Sequence, residues 1–362
     1  MANDSRRPLQ VTRRRQLLEA LSLEGTIRVS DLTESLGAAP ATIRRDLDQL
    51  ADEGVVRRVH GGATLIRQGE AGAVGVPRPL PSSIGMLVPS LEYYWPGVVR
   101  GAEDAAAQHG LTVVLRGSGY EVEDDLPHLL RLVDQVGVSG LAVAPRLDAT
   151  TIDRTLTWLG ECGVPVVLVE RSATHGPHHA VMESVTSDHV LGGAMAVRHL
   201  AALGHRKVGL LLAEHSPTGS HIRRGWLDAA AECGFDPGST VAMAIPEARS
   251  EWEATLDAAL DDCTRTGTTA LVVHADAEAM ALVQRCEDRH ISVPGDLSVV
   301  AYDDEVASLF SPPLTAVRPP RRSLGRAAIE LVAARLSDPG RPTHRIVISP
   351  SLRVRESSAP PR

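Results

Sequence analysis

Five basic side chains close to the N-terminus are the first candidates for chemistry. They fall in two short segments, TIRRDL and RRVH, and are Arg44, Arg45, Arg57, Arg58 and His60. A guanidinium can fork onto the O6 and N7 atoms of guanine or grip a phosphate oxygen. The segments therefore predict contact with a nucleic acid, although residue types alone leave open whether Arg44 and Arg45 read bases or hold phosphates.

An amphipathic helix must hold the first segment so that its arginines face outward. Ile43, Leu47 and Leu50 recur at positions i, i+4 and i+7, which makes one buried stripe and turns Thr42 and both arginines away from it. A turn glycine separates this helix from a short one over residues 31–36. A second helix with two exposed guanidiniums can enter a major groove.

A strand-like stretch over residues 55–66 follows, with Gly61-Gly62 at the bend of a two-glycine hairpin. Basic side chains on a hairpin beside a recognition helix hold the phosphate backbone and fix the register. The order of short helix, turn, basic helix and hairpin predicts a winged helix-turn-helix over residues 1–66. Its predicted DNA contacts are Thr42, Arg44, Arg45, Arg57, Arg58 and His60.

This stretch resembles the DNA-binding domain of DeoR-type regulators, across about residues 10–64. The segments TIRRDL and RVHGGA carry the resemblance, which implies binding to operator DNA. One departure is Ala39, where that family usually begins the recognition helix with serine. An alanine side chain cannot cap the free amides of the first turn, and its presence costs about 1 kcal/mol.

Charge is divided unevenly along the chain. Residues 1–68 hold 11 arginines against 9 acidic residues, whereas the remainder holds 26 basic against 36 acidic residues, and the formal net charge is −8. An acidic second part opposes non-specific adhesion to DNA, so only the first part is expected to touch it.

The composition of the 362 residues disfavours several classes of protein. No apolar run of about 18 residues is present, and no apolar stretch follows the first charges, so neither a membrane span nor a signal peptide is expected. We therefore expect a cytoplasmic protein. The four cysteines form no C-x-x-C pair and are interpreted as reduced thiols. Hydrophobic residues make up 43% of the chain, enough for two or three folding units.

Residues 67–83, rich in Gly and Pro and without periodicity, are predicted to be a linker. Beyond them, short apolar runs alternate with amphipathic stretches, which indicates parallel sheets flanked by helices. About 270 residues is large for a single sheet, so two lobes are expected. The first lobe is predicted over about 84–184 plus 318–338, and the second over about 185–317 plus 339–356.

Ligands of parallel sheets bind beyond the carboxyl ends of the strands. The first exit carries Tyr93, Tyr94 and Trp95, whose rings could stack on a sugar or base, or else pack between lobes or subunits. Other exits offer charged side chains that can fix hydroxyl groups, namely Glu121, Arg146, Glu170, Arg171, Asp276 and Asp303.

Residues 84–356 resemble the effector domain of LacI/GalR-type repressors, which is itself similar to periplasmic sugar-binding proteins. The stretch VPGDLSVVAYDDEVASLFSPPLTAVRPP is the most specific part of the match. By this resemblance the ligand positions are Tyr94, Trp95, Glu170, Arg171, Asp303 and Arg318. The chain departs from the pattern at Glu170 and Ala275. The arginine that the family carries in the segment HIRRGW is displaced here, and Arg223 is the nearest candidate.

Together the two resemblances imply an α/β protein. An N-terminal winged helix-turn-helix is followed by a two-lobed periplasmic-binding-protein-like domain with parallel sheets flanked by helices. They also imply a transcriptional regulator, a repressor of carbohydrate-related genes that acts as a homodimer or higher homo-oligomer. A small sugar-like effector would release it from operator DNA. The alternative effector is a nucleoside or an anionic metabolite, the latter held by Arg171 and Arg318.

Motifs for other functions are missing from the sequence. It contains no phosphate-binding G-x-x-x-x-G-K-[ST] loop and no G-x-S-x-G elbow, and His175, His178 and His179 lack the spacing of a metal site. No cofactor, metal or membrane partner is therefore expected. A sugar-processing enzyme with a fused DNA-binding head is the alternative of another class. The missing signal peptide and the predicted winged helix-turn-helix both argue against an extracytoplasmic binding protein.

Overall fold

The computed structural model describes residues 17, 26–29, 32–33, 38–39, 42–43, 45–47, 50, 56–59, 62–65, 82–118, 124–147 and 150–362. The chain divides into two compact units, residues 1–80 and residues 81–362. The predicted linker, residues 67–83, spans this division. Its last residue, Ser83, already lies in the first strand of the second unit, and residues 67–81 fall outside the described part of the chain.

The first unit contains an antiparallel sheet and a helix with a buried stripe. Ile43, Leu47 and Leu50 are helical and fully buried, which confirms the predicted apolar face. The sheet has the strand order β1-β3-β2 and consists of β1 (Thr26–Arg28), β2 (Val56–Val59) and β3 (Gly62–Leu65).

The wing hairpin differs from the prediction by one residue. Val59 of β2 pairs with Gly62 of β3, so Gly62 belongs to a strand and not to the bend that the two glycines predicted. β2 therefore ends at Val59 and β3 begins at Gly62, with residues 60 and 61 between them in the sequence. Both of those residues lie outside the described part of the chain.

The second unit alternates strands and helices along nearly its whole length. Its strands are β4 (Ser83–Val88), β5 (Thr112–Gly117), β6 (Gly140–Val143), β7 (Val166–Val169), β8 (Thr174–His175), β9 (Ala180–Val181), β10 (Ser184–Ser187), β11 (Val208–Ala213), β12 (Ala242–Ile245), β13 (Ala270–His274), β14 (Ser298–Tyr302), β15 (Thr315–Arg318), β16 (Arg345–Ile348) and β17 (Ser351–Arg353). Its α-helices are α1 (Trp95–Gln108), α2 (Leu126–Leu130), α3 (Ile152–Glu161), α4 (His189–Ala202), α5 (Gly219–Glu232), α6 (Trp252–Thr266), α7 (Asp276–Asp288) and α8 (Arg321–Ser337). A π-helical segment, Arg131–Val136, continues α2.

Two six-stranded sheets form the two lobes. The first has the order β16-β10-β7-β6-β4-β5 and is parallel throughout, and the second has the order β12-β11-β13-β14-β15-β17, in which only β17 is antiparallel. Strands β6, β13 and β14 are buried along their full length. Continuous apolar runs of this kind are expected in parallel sheets, because helices cover both faces.

The lobe boundaries differ from the predicted ones at two strands. β10 was predicted to fall largely in the second lobe, and the segment after residue 338 wholly in it. In the structure β10 pairs with β7 and β16 pairs with β10, so both strands complete the first sheet. The chain therefore passes between the lobes after β10, after β15 and after β16.

Glycine pairs let two helices approach closely in each lobe. A Cβ added at Gly101 of α1 would lie 2.0 Å from the Arg322 carbonyl oxygen, and one added at Gly325 of α8 would lie 1.9 Å from the Val98 carbonyl oxygen. In the second lobe, Gly225 of α5 stands in the same relation to α4. Backbone contact of this kind fixes each helix pair on its sheet.

Candidate ligand-binding site between the lobes

Strand exits in the second unit hold non-glycine residues in the left-handed backbone region. The φ angles are 58° at Tyr93, 55° at Glu170, 92° at Asp303 and 52° at Asp304. Such a conformation costs about 1–3 kcal/mol per residue and persists only where the surrounding structure enforces it, most often at binding sites. The strain marks the chain after β4, β7 and β14 as the candidate site.

Glu170 is a buried carboxylate at the end of β7. Its Oε2 accepts the Ser187 backbone N–H at 2.8 Å, and its Oε1 accepts the Ser187 hydroxyl at 2.7 Å and also the Tyr94 hydroxyl. Burial acts to raise the pKa of Glu170, but the neighbouring His189 and the donors on Ser187 and Tyr94 lower it to about 2. Glu170 is therefore ionised, and it orients Tyr94 within the first lobe.

His189, the first residue of α4, links the two lobes. Its Nδ1 lies 3.1 Å from the Tyr302 hydroxyl of the second lobe, and its Nε2 lies 3.5 Å from Oε2 of Glu170 in the first. That Nε2 is buried and has no hydrogen-bond partner. Asp188 caps α4 by accepting the Leu191 N–H at 2.8 Å, which holds this end of the helix in place.

Asp303, which follows β14, is a buried carboxylate with no hydrogen-bond donor among the described residues. It is 6% exposed, and its basic neighbour is His274, whose Nε2 lies 3.9 Å from Oδ2. Burial and the charge of Asp276 raise the pKa of Asp303 to about 7, against the opposing charges of His189 and Arg321. Burial also lowers the pKa of His274 to about 3, so this imidazole is neutral at physiological pH.

Two further contacts join the lobes beside these carboxylates. The Asp276 backbone N–H donates to the Tyr93 hydroxyl at 3.2 Å. Arg321, at the start of α8 in the first lobe, donates to the Asp303 carbonyl oxygen at 2.5 Å and pairs with Glu305 at 2.8 Å. Its guanidinium carbon lies 5.6 Å from the centre of the Tyr94 ring. Arg321 thus connects the two lobes through charged contacts. Its guanidinium is also attracted to the ring of Tyr94, which lies in the same lobe as Arg321.

Asp276 has a structural role that the sequence did not predict. Its side chain is fully buried at the start of α7, and its two oxygens accept four consecutive backbone N–H groups, those of Asp304, Glu305, Val306 and Ala307, at 2.7–3.1 Å. A carboxylate saturated in this way has little capacity left for a ligand. The prediction that Asp276 binds ligand is therefore corrected, and its role is to hold the loop that carries Asp303.

Two of the four arginines predicted to bind ligand are also engaged by the protein. Arg171 is buried and donates to the carbonyl oxygens of Pro145, at 3.0 Å, and Glu170, at 2.8 Å. Arg318 pairs with Asp304 at 2.7 Å, and Arg355 pairs with the same carboxylate at 2.9 Å. These contacts correct the prediction of ligand binding for Arg171, whose buried donors serve the loops around the site. Arg318 uses only its Nε and its side chain is 39% exposed, so its ligand contact stays a prediction.

Three other candidates lie apart from the cluster. Trp95 is 3% exposed and packs in the core of the first lobe, which corrects its predicted ligand role. Arg223 is exposed on α5, whereas His221 of the same helix lies near enough to His189 and Glu170 to feel their charges. Arg146 is half-buried, and its backbone N–H donates to Asp125 at 3.2 Å. Glu121 lies outside the described residues.

Sequence reasoning missed a group of side chains that stands out only in the structure. It comprises Ser187, His189, His221, His274, Tyr302 and Arg321. A signal existed for His274, which ends an apolar run with a polar ring, and for Tyr302, which directly follows another such run. The other four gave no signal, because Ser187 ends a short strand and the rest lie near helix starts, where polar residues are ordinary.

Of the predicted DNA contacts, the structure describes the side chains of Thr42 and Arg45. Arg45 is exposed and Thr42 is half-buried. The Ala39 carbonyl oxygen accepts the N–H groups of Thr42 at 2.9 Å and Ile43 at 3.1 Å, so Ala39 begins the helix through its backbone. Arg57 and Arg58 lie in β2, and their side chains, like Arg44 and His60, lie outside the described part of the chain.

Comparison with known proteins agrees with this division. The DeoR-like helix-turn-helix domain family matches residues 13–69, and the periplasmic binding protein-like domain family matches residues 197–358. The chain is 30% identical over 345 residues to the HTH-type transcriptional regulator reg1 of Streptomyces lividans, a match that covers 92% of this chain and 97% of that protein. It is 29% identical over 281 residues to the HTH-type transcriptional repressor PurR of Photobacterium profundum, covering 76% and 80% of the two chains.

A solved structure shares the fold of the second unit. The LacI family transcriptional regulator from Enterococcus faecium, solved with bound ribose, superposes with a TM-score of 0.64 at 23% identity and covers 77% of this chain and 99% of its own. This likeness shows the two-lobed LacI-type fold and confirms the predicted fold class.

The chain belongs to the HTH-type transcriptional regulators of the LacI type, with a DeoR-like helix-turn-helix domain in front of the effector domain. Within the described residues, no helix combines the length and the apolar character that a membrane span requires. Nor do His, Cys, Asp and Glu side chains gather into a metal-binding group anywhere in that part of the chain.

Proposed function

We propose that this protein is a repressor of carbohydrate-related genes that leaves its operator when a small hydroxyl-rich effector binds between the lobes. Membership of the HTH-type regulators supports the regulatory role. The observation that carries the effector site is the pair of buried carboxylates, Glu170 and Asp303, which lie at strand ends of opposite lobes with His189 and His274 beside them.

The DNA-binding half of the proposal rests on the first unit. Arg45 is exposed on the helix whose opposite side is closed by Ile43 and Leu47. We propose that Thr42, Arg44 and Arg45 contact the operator from this helix, and that Arg57, Arg58 and His60 hold phosphate from the hairpin. A two-fold pair of such units would favour a palindromic or repeated operator, so we further propose a homodimer or higher homo-oligomer. Its place of action would be the cytoplasm, where the operator is found.

The effector half of the proposal rests on hydrogen-bonding capacity. Acceptors at Glu170 and Asp303, ring nitrogens at His189 and His274, and the Tyr94 ring suit a molecule with hydroxyl groups and an apolar face. A sugar-like effector fits this set. For the anionic alternative, Arg171 is already bound to protein oxygens, whereas Arg318 keeps unused donors and a partly exposed side chain.

Effector binding can release DNA only under one condition. The free energy of closing the lobes must differ between the arrangement of the protein that can bind DNA and the arrangement that cannot. The contacts of His189 and Arg321 between the lobes give closure a defined geometry. An effector that bridges Glu170 and Asp303 would stabilise that geometry. We propose that this stabilisation is the signal that lowers operator affinity.

Footprinting of the full-length protein on its own upstream region, with sugars titrated in, tests the proposal. We expect a protected palindromic or repeated site, and loss of protection at saturating concentrations of one sugar. A conversion assay on the same sugars separates the rival enzyme, which would consume the sugar. Absence of any protected site, or protection that no metabolite changes, would contradict the proposal.

A further inference from the structure

The charges around the cleft decide which ligands it can hold. Glu170 and Asp303 bring two carboxylates into the space between the lobes, and Asp276 adds a third immediately behind Asp303. The neighbouring side chains that are cationic at all pH values include Arg171, Arg318 and Arg321, and Arg355 pairs with the same Asp304 carboxylate as Arg318. An anionic ligand would therefore be bound only if one of these guanidiniums were available to it.

Arg171 and Arg321 are engaged by the protein, whereas Arg318 uses only its Nε and its side chain is 39% exposed. Arg171 donates to the Pro145 and Glu170 carbonyl oxygens, Arg318 pairs with Asp304, and Arg321 pairs with Glu305 while it donates to the Asp303 carbonyl oxygen.

Asp303 is the group that still lacks a partner. Its side chain is more than nine-tenths buried, and no donor among the described residues reaches its carboxylate. Arg321, the strong cation nearby, contacts the backbone carbonyl of Asp303 and not its carboxylate. His274 at 3.9 Å is too far for a hydrogen bond and is held neutral by burial. Burial and Asp276 raise the pKa of this carboxyl to about 7, and a cation delivered by the ligand would stabilise its ionised form.

A second polar atom of the cluster lies beside Glu170 without a hydrogen bond of ordinary length. Nε2 of His189 has no hydrogen-bond partner, although it lies in the same cluster, 3.5 Å from Glu170. Beside it, Tyr302 stands with its ring centre 5.9 Å from that of His189 and 5.6 Å from that of His274. The aromatic rings of Tyr302 and Tyr94 present faces that attract positive charge and repel negative charge.

We propose that the effector is a polyol that carries a protonated amine, of which amino sugars are the simplest members, and that Asp303 is the residue that receives the ammonium group. This inference rests on the proposed function, because it concerns the same site. The ligand hydroxyls bind the remaining polar atoms of the cluster, including Nε2 of His189. Phosphorylated and carboxylated sugars are expected to bind less tightly than the amine, since they bring a further negative charge toward Asp303 and Glu170.

Thermal unfolding of the full-length protein with matched ligand sets tests the inference. The sets are glucose, glucosamine and glucose 6-phosphate, and the corresponding derivatives of galactose and mannose, each titrated at pH 7. In the set that binds, we expect the amine to bind roughly tenfold tighter than the parent sugar. The phosphate is expected to leave the melting temperature unchanged.

The variant Asp303→Asn identifies the residue responsible. It keeps the shape of the side chain and removes its charge, so the amine should lose its advantage and bind about as well as the parent sugar. Asp288→Asn is the matched control. It neutralises an exposed carboxylate at the far end of α7, about 18 Å of helix away from Asp276, and should preserve the tenfold preference.

The outcomes separate this inference from the function on which it rests. If the parent sugar binds as tightly as its amine, or the phosphate binds more tightly, the proposal of an amine-bearing effector is wrong. The proposed sugar-responsive regulator is not contradicted by that result. If no member of any set stabilises the protein, the proposed sugar-like effector fails as well. A preference for the amine that survives in Asp303→Asn overturns the assignment of Asp303.

Discussion

Glu170 and Asp303 show how neighbours decide what a buried carboxylate does. Both follow sheet strands and both have positive φ, yet Glu170 accepts three hydrogen bonds while Asp303 accepts none among the described residues. Donors favour the ionised form and burial opposes it, so the pKa is about 2 for Glu170 and about 7 for Asp303. Glu170 therefore holds its neighbours in place, and Asp303 is the carboxyl that we propose meets the ligand.

The raised pKa of Asp303 predicts a pH dependence of stability. The folded protein holds the Asp303 proton up to about pH 7, whereas the unfolded chain loses it near pH 3.8. The folded state thus binds more protons between these values, and the contribution of Asp303 to the free energy of unfolding falls as the pH rises through this window. A shift of this size corresponds to at most about 4 kcal/mol.

Comparison with Asp303→Asn isolates that contribution. His274 titrates with the opposite sign, because burial lowers its folded pKa to about 3, and both proteins share this effect. We expect the variant to gain stability relative to the unmodified protein between pH 5 and pH 8. Urea unfolding followed by tryptophan fluorescence measures this, since all four tryptophans lie beyond residue 80. A stability difference that does not change with pH would contradict the assignment.

Arg45 is exposed on the helix of the first unit that we propose contacts DNA. Arg45→Ala is expected to weaken operator binding by about 1–3 kcal/mol if the guanidinium reads a base. Effector-induced stabilisation should be preserved, because the effector site lies in the second unit. Gel-shift titration at fixed salt measures the change. Arg206→Ala, which removes an exposed arginine of the second unit, should leave operator affinity unchanged. Equal losses in the two variants would show a general charge effect only.

At the scale of elements, a helix pair in each lobe approaches through glycine. Gly101 and Gly325 join α1 to α8, while Gly193 and Gly225 join α4 to α5. The second pair matters directly for the site, because α4 begins at His189. Gly192 of the same helix leaves room for the Tyr302 hydroxyl, since a Cβ there would lie 2.1 Å from that oxygen. A change in the packing of α4 against α5 is therefore expected to displace His189 and the polar cluster around it.

Gly225→Ala tests this connection. Its Cβ would lie 1.9 Å from the Val190 carbonyl oxygen, so α4 and α5 must separate, and overpacking of this kind costs about 1–3 kcal/mol. Urea unfolding should show that loss. Gly219→Ala on the same helix is the control, because its Cβ would meet atoms no closer than 3.7 Å and alanine favours helix. Two variants of equal stability would contradict the close packing.

Across the whole molecule, Arg321 connects the loop of one lobe to the helix of the other. Arg321→Met removes the contacts to Glu305 and to the Asp303 carbonyl oxygen while keeping most of the side-chain volume. We expect effector affinity to fall roughly tenfold, because a smaller fraction of molecules holds the lobes in the binding arrangement. Operator affinity without effector should not weaken.

Isothermal titration with the effector and gel shifts without it measure these two quantities. Arg322→Met is the neighbouring control, since its side chain is 69% exposed and only loosely paired with Asp104 at 3.9 Å. It should reproduce the unmodified protein in both measurements. A loss of effector affinity in Arg322→Met equal to that in Arg321→Met would rule out a specific role for Arg321.

The sequence determined the parts of the protein that depend on local pattern. The spacing of Ile43, Leu47 and Leu50 predicted the buried stripe of the basic helix, and alternating apolar runs predicted the strands and helices of the second unit. Both patterns report which face of one element is buried, and that is a property of consecutive residues. Strand ends likewise predicted Tyr94, Glu170 and Asp303 as members of the site.

Tertiary structure alone decided how distant residues combine. β10 and β16 complete the first sheet because of their pairing, which local pattern does not encode. His189 contacts Tyr302, which is 113 residues away in the sequence. The carboxylate of Asp276 accepts hydrogen bonds from four backbone amides of the loop after β14. The role of a polar side chain depends on which donors and acceptors surround it, and folding brings those from remote positions. For that reason the sequence predicted a ligand contact for both Asp276 and Asp303. Only the fold showed that Asp276 supports a loop, whereas Asp303 stays a candidate ligand residue.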